Sequence, residues 1–249
     1  MFTTARGKRI YYECYGKGPK TILFVHGWGG THKSLKRLAI KPVKKFRTVV
    51  IDLPGFGKSQ NPDPSWGVEE YAECVVDFLK KQEIQNPVYF GHSFGGSLGI
   101  YIAAKGLYPL AKLVLCASAF KRTGKKSRLA SGVNSVVNSY VPFLRSIVSR
   151  VKPFFYKIFF PDSDLARFPH LESNFRKIIT RDLSDLPEKI TIPTLILWGG
   201  RDTYTPPALA DELEEKIPGS CKILFPYKSH NLPIRYPDEV WNKMRGFIA

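Results

Sequence analysis

Pro87-Val88-Tyr89-Phe90-Gly91-His92-Ser93-Phe94-Gly95 decides how this chain is read. Its first four residues are a short apolar run, the signature of a buried strand. Gly96-Ser97-Leu98-Gly99-Ile100-Tyr101-Ile102-Ala103-Ala104 follows and reads as a helix packed closely on a sheet. Between them, Gly91 to Gly95 spell G-x-S-x-G. Strand, G-x-S-x-G, helix is the context a nucleophile elbow requires, a turn tight enough to leave the serine oxygen clear at its apex. Flanking glycines let the chain reverse without clashes because they have no Cβ. A glycine-rich turn with no chemistry would spell the same five residues, so the flanking chain must distinguish the two.

Working outward, apolar runs alternate with helical patterns. Residues 9–15 are β-prone and end at Gly16-Lys17-Gly18-Pro19, as expected of an antiparallel first strand. Residues 21–25 and 48–51 are continuous apolar strands, the pattern of strands covered on both faces. Helices are predicted from about Lys33 to Ile40, over 68–82, where Val68, Tyr71, Ala72, Val75, Val76 and Leu79 recur at helical spacing, and over about 94–105. Residues 113–117, 193–198 and 221–225 are further strands; helices are expected from about Pro207 to Ile217 and from Pro237 onward. The fold class is α/β: a mostly parallel, doubly wound sheet of about eight strands. Reactive groups in such sheets gather at the carboxyl ends of the strands.

The alternation breaks between residues 120 and 186. That segment has mixed helical signals, 13 Lys/Arg against 5 Asp/Glu, and ten aromatics: Phe120, Tyr140, Phe143, Phe154, Phe155, Tyr156, Phe159, Phe160, Phe168 and Phe175. It reads as a helical cap inserted into a core domain of residues 1–119 and 187–249, lying over the catalytic edge. Its aromatics would line an acyl site or form the cap's own core, and its basic residues would favour anionic substrates.

The 249 residues carry a formal charge of +17. Basic residues are scattered, with no long run and no nucleic-acid module, so no specific nucleic-acid partner is expected and contact with an anionic surface stays open. Cys14, Cys74, Cys116 and Cys221 form no C-x-x-C pair, so no metal is expected. Cys74 and Cys116 read as small buried hydrophobes. No secretory h-region and no apolar run of membrane-spanning length are visible, which makes a cytoplasmic protein with reduced thiols the expectation.

A serine nucleophile needs a base, and the base an orienting acid. Five histidines compete. His26 and His92 sit beside and inside turns, His32 starts a helix, and His170 lies in the insertion. His230 alone follows the final strand in a polar loop from which it could reach Ser93. Asp202 follows the strand ending at Trp198, whereas Ser118-Ala119-Phe120 after the preceding strand offers no carboxylate. The order Ser93, Asp202, His230 is that of the α/β-hydrolases.

Here the chain resembles the α/β-hydrolase fold family over nearly its whole length. The resemblance rests on His26-Gly27-Trp28-Gly29, Asp52-Leu53-Pro54-Gly55-Phe56-Gly57-Lys58-Ser59, Gly91-His92-Ser93-Phe94-Gly95-Gly96, Gly199-Gly200-Arg201-Asp202 and Ser229-His230-Asn231, in order. It implies oxyanion N–H groups from Phe94 and Trp28, and a structural turn at Asp52. Members that displace halide or open epoxides use aspartate where Ser93 stands, which argues against both reactions. The expected activity is a cofactor-free serine hydrolase acting on small carboxylic esters. A lactonase (for example on acyl-homoserine lactones), a C–C bond hydrolase, a perhydrolase or an acyltransferase would use the same triad, and a non-catalytic ligand receptor is the alternative of another class.

Overall fold

Alternate residues of Ile22-Leu23-Phe24-Val25 are buried on opposite sides of one sheet, which is why the run has no polar position. The computed structural model describes residues 1–41, 45–121 and 167–249. Among them lie eight strands, β1 (Phe2–Ala5), β2 (Lys8–Tyr15), β3 (Lys20–Val25), β4 (Phe46–Ile51), β5 (Val88–His92), β6 (Lys112–Cys116), β7 (Thr194–Gly199) and β8 (Cys221–Phe225). They form one sheet in the order β1-β2-β4-β3-β5-β6-β7-β8. The β1–β2 and β2–β4 pairs are antiparallel and the rest parallel.

Among the described residues the α-helices are α1 (His32–Ala39), α2 (Val68–Lys81), α3 (Phe94–Ala104), α4 (Glu172–Thr180), α5 (Ala208–Lys216), α6 (Leu232–Arg235) and α7 (Pro237–Ile248). Leu35 and Leu38 of α1 and Val240, Met244 and Ile248 of α7 meet Ile22, Phe24, Phe90 and Val114 on one face. Phe78 and Leu79 of α2, Leu98 and Ile100 of α3 and Leu213 of α5 cover Leu23, Tyr89 and Leu113 on the other. Cys74 and Cys116 are buried in these layers as free thiols.

β1 was not expected from the sequence. It joins β2 through Arg6 and Gly7, both at positive φ (48° and 71°), a two-residue hairpin of the kind that suits strand twist. Such turns are usually marked by Asn-Gly or Asp-Gly, and Phe2 to Ala5 are half exposed, so neither turn nor strand announces itself. β5 runs through Gly91 and His92, two residues past the apolar run.

From β3 the chain turns one way to β4 and later the other way to β5, so β3 and β5 are neighbours with Val25 beside Gly91. The loops leaving their carboxyl ends therefore flank one crevice, where α/β sheets bind ligands. Of segment 120–186, Phe120, Lys121 and residues 167–186 are described. α4 sits on the loop before α2: Asn174 Nδ2 donates to the carbonyls of Asp63 (2.8 Å) and Trp66 (3.0 Å), and Lys177 Nζ to that of Ser65 (2.9 Å). Tyr140, Phe143, Phe154, Phe155, Tyr156, Phe159 and Phe160 lie outside the described residues.

Candidate active site

Ser93 stands between β5 and α3 at φ 51°, ψ −114°, a conformation a non-glycine residue adopts only when its surroundings impose it. The surroundings here are close backbone. A Cβ on Gly91 would lie 2.4 Å from the Gly95 carbonyl oxygen, and one on Gly95 would lie 2.3 Å from that of Val25. The two outer glycines of the pentapeptide are thus required by contact. The Ser93 amide donates to the Cys116 carbonyl at 2.9 Å, tying the turn to β6.

His230, in the loop after β8, places Nε2 3.0 Å from Ser93 Oγ and Nδ1 2.8 Å from Asp202 Oδ2. One tautomer satisfies both contacts: Nδ1–H donates to the carboxylate, leaving Nε2 to accept from the serine hydroxyl. Asp202, after β7, is buried. Its Oδ1 accepts from the amides of Tyr204 and Thr205, each at 2.9 Å, and its Oδ2 accepts from Thr205 Oγ1 at 2.8 Å. Burial raises its pKa, but hydrogen bonding to His230, the charge of His230 and the Thr205 donors outweigh that and hold it below the ordinary aspartate value. Thr205 Oγ1 is also 3.1 Å from His230 Nδ1. Sequence reading missed Thr205: a threonine three residues after an aspartate fits an ordinary turn and marks nothing.

The other histidines are accounted for differently. His92 Nε2–H donates to the carbonyl of His230 at 3.0 Å, anchoring the histidine loop to the elbow. Burial pushes His92 down to about 3, so it is neutral at pH 7. His26 accepts from the Leu53 amide at 3.0 Å and contacts the Gly27 carbonyl at 2.7 Å; burial holds it at about 4. His170 is exposed in the turn before α4, edge-on to Phe168.

His32 and Asp52, 20 residues apart, form a second buried constellation. Asp52 takes the His32 amide at 2.5 Å, both oxygens lie 2.9 Å from His32 Nδ1, and Oδ2 takes the Lys58 amide at 2.9 Å. His32 Nε2 faces Glu13 at 3.5 Å. The sequence reading of Asp52 as a structural turn matches this geometry. The pairing with His32 is new.

Ser93, His230, Trp28 and Phe94 share the wall of a cavity of about 480 Å³, together with Phe120, Phe175, Ile178, Leu183 and Tyr204. Trp28 lies in the loop after β3, its indole against Phe56 (4.9 Å between centroids), Phe175 (5.2 Å) and Phe94 (5.9 Å). Phe94 is the first residue of α3, where amides have no carbonyl partner inside the helix. Among the described residues no cluster of three or more His, Cys, Asp or Glu could hold a metal ion. Nor is any described helix long and apolar enough to cross a membrane.

Residues 22–243, from β3 into α7, match the profile of the Alpha/beta hydrolase family. The chain belongs to that family. It is similar to a pimeloyl-[acyl-carrier protein] methyl ester esterase of Vibrio vulnificus (24% identical, covering 96% of this chain and 98% of the relative). It is also similar to the serine hydrolase BPHL of Mus musculus (28% identical, covering 97% and 84%). The enol-lactonase of Burkholderia xenovorans LB400 superposes with a TM-score of 0.76 at 19% identity over 100% of this chain and 99% of that one, a likeness of fold. Esterases and serine hydrolases are thus among the relatives of this alpha/beta hydrolase.

Proposed function

We propose that the chain hydrolyses small carboxylic esters through an acyl-enzyme intermediate on Ser93. The observation that carries this reading is the line Ser93 Oγ, His230 Nε2, His230 Nδ1, Asp202 Oδ2, with spacings of 3.0 Å and 2.8 Å, opening on the cavity. Ser93 Oγ attacks the ester carbonyl carbon as its proton passes to His230 Nε2. The carbonyl π pair moves onto oxygen, and the resulting oxyanion is held by the amides of Phe94 and Trp28. Collapse expels the alkoxide, which takes the proton from His230 and leaves as the alcohol. Water then gives a proton to His230, adds to the acyl carbon and releases the acid as Ser93 recovers its proton. Asp202 remains ionised throughout, fixing the tautomer and stabilising the imidazolium.

Segment 120–186 supplies α4 and its turn to the substrate side of the cavity, and in this reading it is the cap that selects the acyl group. The methyl ester esterase among the relatives favours a simple alkoxy leaving group, so alkyl esters are the first substrates to try. A lactone is a cyclic ester and would react by the same steps. The test is hydrolysis of a short p-nitrophenyl ester by wild type and S93A, with fluorophosphonate labelling of both. The expected result is a loss of about a thousand-fold or more in kcat, and loss of label, in S93A. A wild-type rate in folded S93A would overturn the proposal.

A further inference from the structure

The described part of the cavity wall carries three cationic side chains, Lys121, Arg167 and Arg181, and no carboxylate. Lys121 and Arg181 already have carboxylate partners, Glu212 and Glu69; Arg181 Nε is 2.6 Å from Glu69. Arg167 has no carboxylate partner among the described residues; its guanidinium lies 5.7 Å from the Phe168 ring centroid. The indole Nε1–H of Trp28, on the same wall, is buried with no acceptor. Of the wall's hydroxyls outside the triad and Thr205, those of Ser97 and Tyr204, the Ser97 hydroxyl donates to the Ala119 carbonyl. A buried donor without an acceptor costs free energy that a ligand acceptor would recover. A cleft lined by one sign of charge between apolar walls concentrates ligands of the opposite sign. The chain's net charge of +17 adds to that field.

From this wall we infer that the ester substrate carries a second, anionic group, a carboxylate or phosphate, received by Arg167 with Arg181 and Lys121 behind it. The inference rests on the hydrolase reading above and deepens it. Guanidinium suits the role because its planar fork matches both oxyanions. Phe175, Ile178, Ile179 and Leu183 between them supply apolar surface for the chain that joins the anionic group to the ester.

The test compares three substrates of one chain length: a methyl ester whose far end is a carboxylate, one ending in a carboxamide, and one ending in a phosphate. The readout is the ratio of kcat/KM for each anionic ester to that of the carboxamide. At about 20 mM salt the carboxylate or the phosphate ester should lead by about ten-fold, shrinking to a few-fold at about 300 mM because Arg167 is exposed to screening. Whichever leads names the anion. R167Q should cut the ratio about five-fold and R167E bring it below one. A ratio near one for both anions in wild type, or one that R167Q leaves unchanged, overturns the inference while leaving the hydrolase intact. Should no ester be hydrolysed, the hydrolase reading fails. The anion site is then judged in S93A by thermal shift with the corresponding dicarboxylate and diamide: greater stabilisation by the dicarboxylate, lost in S93A/R167Q, supports it, and equal shifts overturn it.

Discussion

Thr205 has the most to add at the scale of single residues. Its hydroxyl is within reach of Asp202 Oδ2 (2.8 Å), His230 Nδ1 (3.1 Å) and the Ala117 carbonyl (3.3 Å). With one proton to give, it supports the same carboxylate oxygen, Oδ2, that His230 Nδ1 meets. T205V keeps the volume and removes the donor, leaving a buried charged acceptor short of one bond. Loss of a bond to a charged group is worth about 1.5–3 kcal/mol. If part of that is felt when the imidazolium forms, kcat should fall by about ten-fold with KM little changed. T205S should restore it. Steady-state kinetics on one ester decides the matter: equal kcat for T205V and wild type would make the hydroxyl a turn cap and nothing more. Ser93, Asp202 and His230 were legible in the sequence because each follows a strand end in a motif with a chemical reason. Thr205 was illegible because its partners are set by how the loops after β7 and β8 meet.

Among elements, the buried pair of His32 and Asp52 ties the start of α1 to the end of β4. The loop that carries Trp28 runs between two anchors, the His26–Leu53 bond and the His32–Asp52 pair. Glu13 of β2 extends the second anchor: burial raises its pKa, yet Tyr15, Tyr11, Lys36 and the charge of His32 bring it down to about 2. D52N would place an amide NH₂ among the donors His32 N, His32 Nδ1 and Lys58 N. Breaking a buried pair from one side costs about 3–5 kcal/mol. Urea unfolding of D52N should show a lower midpoint at an unchanged m-value, and a midpoint equal to wild type would mean the pair contributes nothing net. The sequence revealed the elements and not this tie. His32 fits the start of a helix and Asp52 a glycine-rich turn, and no periodicity links residues 20 apart. β1 was hidden for a related reason: its turn is built from Arg6 and Gly7, and only the paired strand makes Arg6 acceptable at φ 48°. The central parallel strands were plain because burial on both faces leaves few polar positions to blur them, whereas β8 at the sheet edge is partly exposed and carries Lys222.

For the molecule as a whole, two buried neutral histidines dominate the first part of the response to acid, before the carboxylates titrate. His26 and His92 are held at about 4 and about 3 by burial, while an unfolded histidine titrates near 6.5. Below about pH 6.5 the unfolded chain therefore binds two protons that the folded chain refuses, and stability falls as pH falls. Each proton contributes a slope of about 1.4 kcal/mol per pH unit, and the loss continues until the folded-state values near 4 and 3 are reached. The net charge of +17 acts in the same direction, because protonating carboxylates leaves the cations less balanced. The two effects separate by salt. Repulsion among surface charges fades at about 0.3 M, whereas proton uptake by buried imidazoles does not. Urea midpoints taken at pH 7, 6 and 5 in high salt should therefore still decline. In H92Q the glutamine amide can keep the bond to the His230 carbonyl but has nothing to titrate, so the decline should flatten by about one proton's worth. An equal slope in H92Q and wild type would mean that His92 takes up its proton as readily in the folded chain as in the unfolded one, and below about pH 6.5 its bond to the histidine loop would then be that of an imidazolium.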